Sequence, residues 1–131
     1  MFYKSLLSFL AVLLIAANIF AQDTPSITVQ EMKFCTAVED RQPAGVDTSF
    51  AATVERIYCY TVLSSADSAV VSQMWFHGDK EMAKIDLNVR TSKTWRTWSS
   101  KRIVSEWTGD WRVDVVTASG AVLKSMKFTV K

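Results

Sequence analysis

Trp111-Arg112-Val113-Asp114-Val115 decides the fold class. Large apolar side chains stand at every second position, with charged ones between them. A period of two is that of an extended strand with one face in a core and the other in water. The same alternation sets Ile85, Leu87 and Val89 against Lys84, Asp86 and Asn88. It also sets Met126, Phe128 and Val130 against Lys127 and Thr129. After Gln22 no segment keeps helical spacing for three turns. Glu81 to Val89, the nearest to it, fits alternation better.

Working outward, turn signals divide the chain into seven predicted strands: Ile27–Ala37, Glu55–Leu63, Val70–Phe76, Met82–Val89, Thr94–Lys101, a sixth following Thr108-Gly109-Asp110, and Ala121–Val130. Gln42-Pro43-Ala44-Gly45 closes the first strand, and Ala118-Ser119-Gly120 makes the tightest hairpin. Glycine suits such turns because it takes positive φ cheaply. Seven short strands in about 100 residues predict an all-β, immunoglobulin-like antiparallel β-sandwich. A small barrel is the alternative.

Residues 1–21 read as a signal-peptide helix. Lys4 begins it, an apolar run from Leu6 to Phe20 follows, and Ile19-Phe20-Ala21 offers a cleavage site before Gln22. That run is shorter than the roughly 20 residues a spanning helix needs, so membrane contact is expected only if the segment stays uncleaved. With no cysteine near the cut, a lipid anchor is not expected. The expectation is an exported protein of the periplasm or cell exterior, with residues 22–131 forming one domain.

The two cysteines, Cys35 and Cys59, are expected to form a disulfide in such a compartment. Closing that loop would stabilise the fold by roughly 3–4 kcal/mol. Cys35 alternates with Glu31 and Lys33, and Cys59 shares a face with Ile57 and Thr61. If Phe34 and the tyrosines face the core, the bridge clips two strands on the outside of one sheet.

Charge is unevenly placed. Gln22 to Ala83 holds four Lys or Arg against nine Asp or Glu, whereas Lys84 to Lys131 holds ten against four. Either the second half presents a basic surface to an anionic partner, or the halves interleave in space and their fields cancel. No catalytic pattern is evident. His77, the single histidine, stands beside Gly78 without a nucleophile-elbow sequence. One histidine and two cysteines cannot furnish a four-ligand zinc site. There is no Asp-x-Asp-x-Asp loop and no phosphate-cradling glycine loop. No cofactor and no metal is therefore expected.

The best candidate for binding is Lys93 to Arg102. Strict alternation puts Trp95, Thr97 and Ser99 on one face with Lys93 and Lys101. Arg96, Trp98 and Ser100 take the other face with Arg102. One tryptophan points in and one out. An exposed tryptophan beside Arg or Lys suits stacking on a sugar ring or holding a carboxylate or phosphate. Trp95, Arg96, Trp98, Lys101 and His77 are the candidate ligand-binding residues. Aromatic and basic residues also suit nucleic acid, but export argues against it.

Several motifs occur together and in order: Trp75-Phe76-His77-Gly78, Trp95-Arg96-Thr97-Trp98-Ser99-Ser100-Lys101, Gly109-Asp110-Trp111-Arg112-Val113-Asp114-Val115 and Phe128-Thr129-Val130. With Glu39-Asp40-Arg41-Gln42-Pro43 and Tyr58-Cys59-Tyr60-Thr61 upstream, the chain resembles the bacterial family known as domain of unknown function 2914. Many members of that family carry a histidine two residues before the Trp75 position. This chain has Gln73 there, so no role of that histidine carries over. The resemblance implies a β fold and export, and it implies no activity.

Three functional expectations follow. The first is a noncatalytic binding module for an envelope protein, an anionic glycan or another envelope component. The second is an accessory β-domain that pairs through an edge strand. The third, a hydrolase, lacks a recognisable triad.

Overall fold

The computed structural model describes residues 26–131, so the expected signal segment lies outside the described residues. Ten strands follow one another: β1 (Ile27–Cys35), β2 (Ala37–Glu39), β3 (Gln42–Ala44), β4 (Ser49–Phe50), β5 (Arg56–Ser65), β6 (Ala69–His77), β7 (Lys80–Val89), β8 (Ser92–Arg102), β9 (Gly109–Thr117) and β10 (Val122–Val130). The seven long ones are the seven that alternation predicts. The three short ones lie in the stretch between the first two predicted strands.

β1, β5 and β8 form an antiparallel sheet in the order β1-β5-β8. The second sheet runs β4-β10-β9-β6-β7, antiparallel except for the short β4, which lies parallel to β10. The inner faces of the two sheets share one core, an immunoglobulin-like sandwich. Phe34, Ile57 and Leu63 from the first sheet are buried with Trp75, Trp111, Val113, Val115 and Phe128 from the second. The Phe34 ring lies 4.5 Å from that of Phe128 and 6.4 Å from that of Trp75, which spans the gap between layers. Each sheet contains strands from both the acidic and the basic parts of the chain, so the two halves interleave.

A buried polar row also crosses the sandwich. The Trp75 indole N–H donates to Ser99 Oγ at 3.0 Å, and Ser99 in turn donates to Gln73 Oε1. Gln73 Nε2 donates to Thr61 Oγ1 at 3.3 Å, and Thr61 donates to the Thr97 carbonyl at 2.8 Å. Gln73 and Thr61 are fully buried, and Ser99 nearly so. Each link supplies a partner that a dry interior otherwise withholds. The row also fixes β8 in register. A slip of one residue would turn Ser99 outward and Trp98 inward, removing two hydrogen bonds at once.

The expected disulfide does not form: Cys35 and Cys59 are both free and buried. Their register gives the reason. Phe34 pairs with Cys59, while Cys35 pairs with Tyr58. The offset of one residue puts the two thiols on opposite faces of the sheet. Cys59 lies in the core opposite Phe34, and Cys35 lies outside, beneath the β2–β3 hairpin, with the Ala37 and Ala44 backbone beside its sulfur. Phe34 does face the core, but Tyr60 faces the other way.

Burial pushes both thiols above their ordinary value, Cys59 far above it. Native protein is therefore expected to resist alkylation near neutral pH. In denaturant without reductant, intact-mass analysis after iodoacetamide should show two added carbamidomethyl groups. A bridged protein would add none.

The hairpin that roofs Cys35 depends on Gly45. Its φ is +70°, and a Cβ built there would collide with Thr36 Oγ1. Any other residue would be strained by that φ and would require the Thr36 side chain to shift.

Candidate functional site

The outer face of the small sheet follows from the same parity. Ile57, Cys59, Thr61 and Leu63 point inward from β5, so Arg56, Tyr58, Tyr60 and Val62 point outward. On β8 the inward residues are Trp95, Thr97, Ser99 and Lys101, and the outward ones are Arg96, Trp98, Ser100 and Arg102. The expected division of the two tryptophans is the one observed. Trp95 packs against the core, where its indole N–H has no hydrogen-bond partner among the described residues.

Trp98 is paired across the sheet with Tyr60, and their rings stack at 5.9 Å and 20°. β8 is the edge of its sheet, so no strand of that sheet lies on the far side of the Trp98 ring. Arg96 precedes it on the same face, and Ser100 follows, accepting a 2.7 Å hydrogen bond from Arg56 Nη1. Arg56 is itself paired across the sheet with Arg102. Lys33 stands next to Tyr60 in β1 and is joined to Glu31 at 2.9 Å. Both ends of that ion pair are well exposed, so it contributes little. The hydrogen bond to Glu31 holds the Lys33 ammonium above the usual lysine value.

The candidate residues thus fall into three groups. Arg96 and Trp98 share the outer face, two residues apart on β8. Lys101, with Trp95, turns to the inner side, where its ammonium lies 4.9 Å from the centre of the Trp107 ring. Burial first, and then the Arg56 and Arg102 charges, press Lys101 below the usual lysine value. Its role is to cover Trp107.

His77 lies at the end of β6 in the other sheet. Its ring stacks on Trp111 at 4.7 Å, and its Nε2–H donates to the Thr108 carbonyl at 2.7 Å. The sandwich separates it from Trp98. Gln73, at the position where the family resemblance carries a histidine, belongs to the buried polar row.

The other sheet also has a polar outer surface. Arg112 lies 4.2 Å over the Phe76 ring and pairs with Asp114 at 3.0 Å. A groove of about 450 Å³ beside it is lined by Asp79, Asp110, Arg112 and Lys127, among others. There two carboxylates face two cations, one already paired, so the groove has no net preference for an anion. Among the described residues no group of three or more metal-ligating side chains converges.

Sequence reasoning placed Arg102 on this face but missed Tyr60, Arg56 and the β2–β3 hairpin as parts of it. The first two are recoverable from parity once β5 and β8 are known to be neighbours. The hairpin is not.

Residues 68–130, β6 through β10 with the one residue before β6, match the family model described as "Protein of unknown function (DUF2914)". No curated protein matches the chain. Among solved structures, a beta-glucosidase from Kluyveromyces marxianus superposes with a TM-score of 0.47 at 11% identity. The superposition covers 81% of this chain and 14% of that one, so the chain spans only about a seventh of the enzyme's length. That likeness is too slight to say anything of function. Through residues 68–130, a little under half of its length, the chain is thus similar to the DUF2914 family of proteins of unknown function.

Proposed function

We propose that the protein is a noncatalytic binding module that acts outside the cytoplasm and holds an anionic component of the cell envelope. The outer face of β1-β5-β8 is its binding surface. The observation that carries this reading is the Trp98–Tyr60 stack at a sheet edge, with Arg96 beside it. A half-buried aromatic ring at a sheet edge, next to a planar guanidinium, offers apolar stacking and a fork for an anion in one place.

Around it Arg41, Arg56, Arg96, Arg102 and Lys33 outnumber Glu31, Glu39, Asp40 and Glu55 by one, and Lys33 and Glu31 neutralise each other. The remaining field favours an anion and should speed its association at low salt.

Arg96→Ala and Trp98→Ala should each weaken retention on an immobilised acidic polysaccharide by roughly tenfold or more, the ~1.4 kcal/mol scale of one cation–π or charge-assisted contact. Arg96→Ala should change the melting temperature little, whereas Trp98→Ala should also lose about 0.5–1.5 kcal/mol of stability with its stack on Tyr60. Lys101→Ala, on the inner side, should leave retention unaltered. Equal retention of all three variants would remove this face as the site.

A further inference from the structure

We infer that the β2–β3 hairpin is the second wall of this site, and that Arg41 at its tip grips, together with Arg96, the carboxylates of an acidic sugar chain. The inference rests on the binding face proposed above and names its ligand class. Three observations lead to it.

The hairpin closes through a two-residue loop, Asp40-Arg41, between the paired residues Glu39 and Gln42. Both loop residues have positive φ, 51° and 63°. This is the conformation for which glycine or asparagine is the easy choice. An arginine there is strained, and such strain is held where a side chain has a task.

The tip is tied to the aromatic stack. Tyr60 donates its hydroxyl hydrogen to the Arg41 carbonyl at 2.8 Å while its ring stacks on Trp98. One tyrosine ring therefore separates the hairpin tip from Trp98. Arg41 is exposed, and among the described residues neither its guanidinium nor that of Arg96 makes an ion pair or a side-chain hydrogen bond. Among the described residues, two arginines without ion pairs thus adjoin the Tyr60–Trp98 pair, Arg41 at the Tyr60 hydroxyl and Arg96 two residues along the strand from Trp98.

The outward row Arg96, Trp98, Ser100, Arg102 is spaced by two residues, roughly 7 Å per step, so it presents cation, ring, hydroxyl and cation in a line. An acidic pyranose has a C–H face for the ring and a planar carboxylate for a bidentate guanidinium. An acidic peptide offers the carboxylate but no such face.

The test is calorimetric titration of the full chain with oligogalacturonate, with its methyl ester as the uncharged control and poly-glutamate as the peptide alternative. Wild type should bind the acid form and not the ester. Arg41→Ala and Arg41→Gly should each weaken binding at least tenfold. Arg41→Gly should melt at or above the wild-type temperature, because glycine relieves the backbone strain. Tyr60→Phe, which keeps the ring and frees the tip, should weaken binding several-fold.

Binding within twofold of wild type by both Arg41 variants, while Arg96→Ala and Trp98→Ala lose it, would overturn the role of the hairpin and leave the face intact. No binding by wild type, or binding untouched by Arg96→Ala and Trp98→Ala, would overturn both. Tighter binding of poly-glutamate than of oligogalacturonate would overturn the sugar assignment.

Discussion

Trp75→Ala is expected to lower stability by about 3–5 kcal/mol, at the upper end of what truncating one core side chain costs. The indole is wholly buried and meets Phe34 at 6.4 Å and Phe128 at 6.1 Å, one ring from each sheet. Its removal leaves a cavity between the layers, and the rigid β backbones around it cannot collapse to fill one. It also takes away the N–H that Ser99 accepts. Urea unfolding followed by far-ultraviolet circular dichroism gives the measurement. With a slope near 2 kcal/mol/M, the midpoint should fall by roughly 1.5–2.5 M. A fall below about 0.5 M would mean that Trp75 does not hold the two sheets together.

Ser99→Ala should cost roughly 2–5 kcal/mol, although it removes a single oxygen. The cost arises from what remains. The Trp75 N–H loses its acceptor and Gln73 Oε1 loses its donor, both in a dry interior. Each orphaned group costs about 1–3 kcal/mol.

Because the two residues share one hydrogen bond, the double variant should lose less than the sum of the single losses. The expected coupling is about 0.5–3 kcal/mol. Additive losses would show that the hydroxyl and the indole act independently. Replacing Gln73 and Ser99 together by apolar residues of similar volume should recover part of the loss, since only the Trp75 N–H is then left without a partner.

This polar row was not legible in the sequence. Gln73, Thr61 and Ser99 are ordinary polar residues at inward positions of three different strands, and nothing local says that they meet. The seven long strands were legible because alternation is a local property. So was the opposed facing of Trp95 and Trp98, four residues of strict alternation with no bulge between them.

The disulfide failed for the complementary reason. The expected compartment and the cysteine count argue for a bridge, but facing depends on the register between β1 and β5, set by pairing far along the chain. A bulge between Val29 and Glu31 moves the inward set on β1 from Ile27 and Val29 to Met32 and Phe34. That leaves Cys35 outside and the opposing Cys59 within.

The β2–β3 hairpin was hidden differently. Its loop carries no Asn-Gly or Asp-Gly signal, and Gln42-Pro43-Ala44-Gly45 reads as the end of a strand rather than as a strand. The left-handed backbone at Asp40 and Arg41 appears only in the fold.

The basic tendency of Lys84 to Lys131 was legible, but its destination was not. Arg96 and Arg102 reach the small sheet, whereas Arg112 and Lys127 reach the large one, where Asp79, Asp110 and Asp114 offset them. Topology, rather than composition, gives one face an excess of cations and leaves the other nearly neutral. The same topology sends Lys101 to the inner side, although it lies in the same strand as Arg96.

Hydrogen–deuterium exchange of the protein with and without a saturating acidic oligosaccharide tests the proposed binding face most directly, since it assumes no site in advance. Exchange should slow in peptides covering Thr94–Arg102 and Ala37–Ala44, with no change across Asp110–Asp114 and Ser125–Thr129. Protection confined to those last two segments, with β8 unchanged, would contradict a binding face on the small sheet.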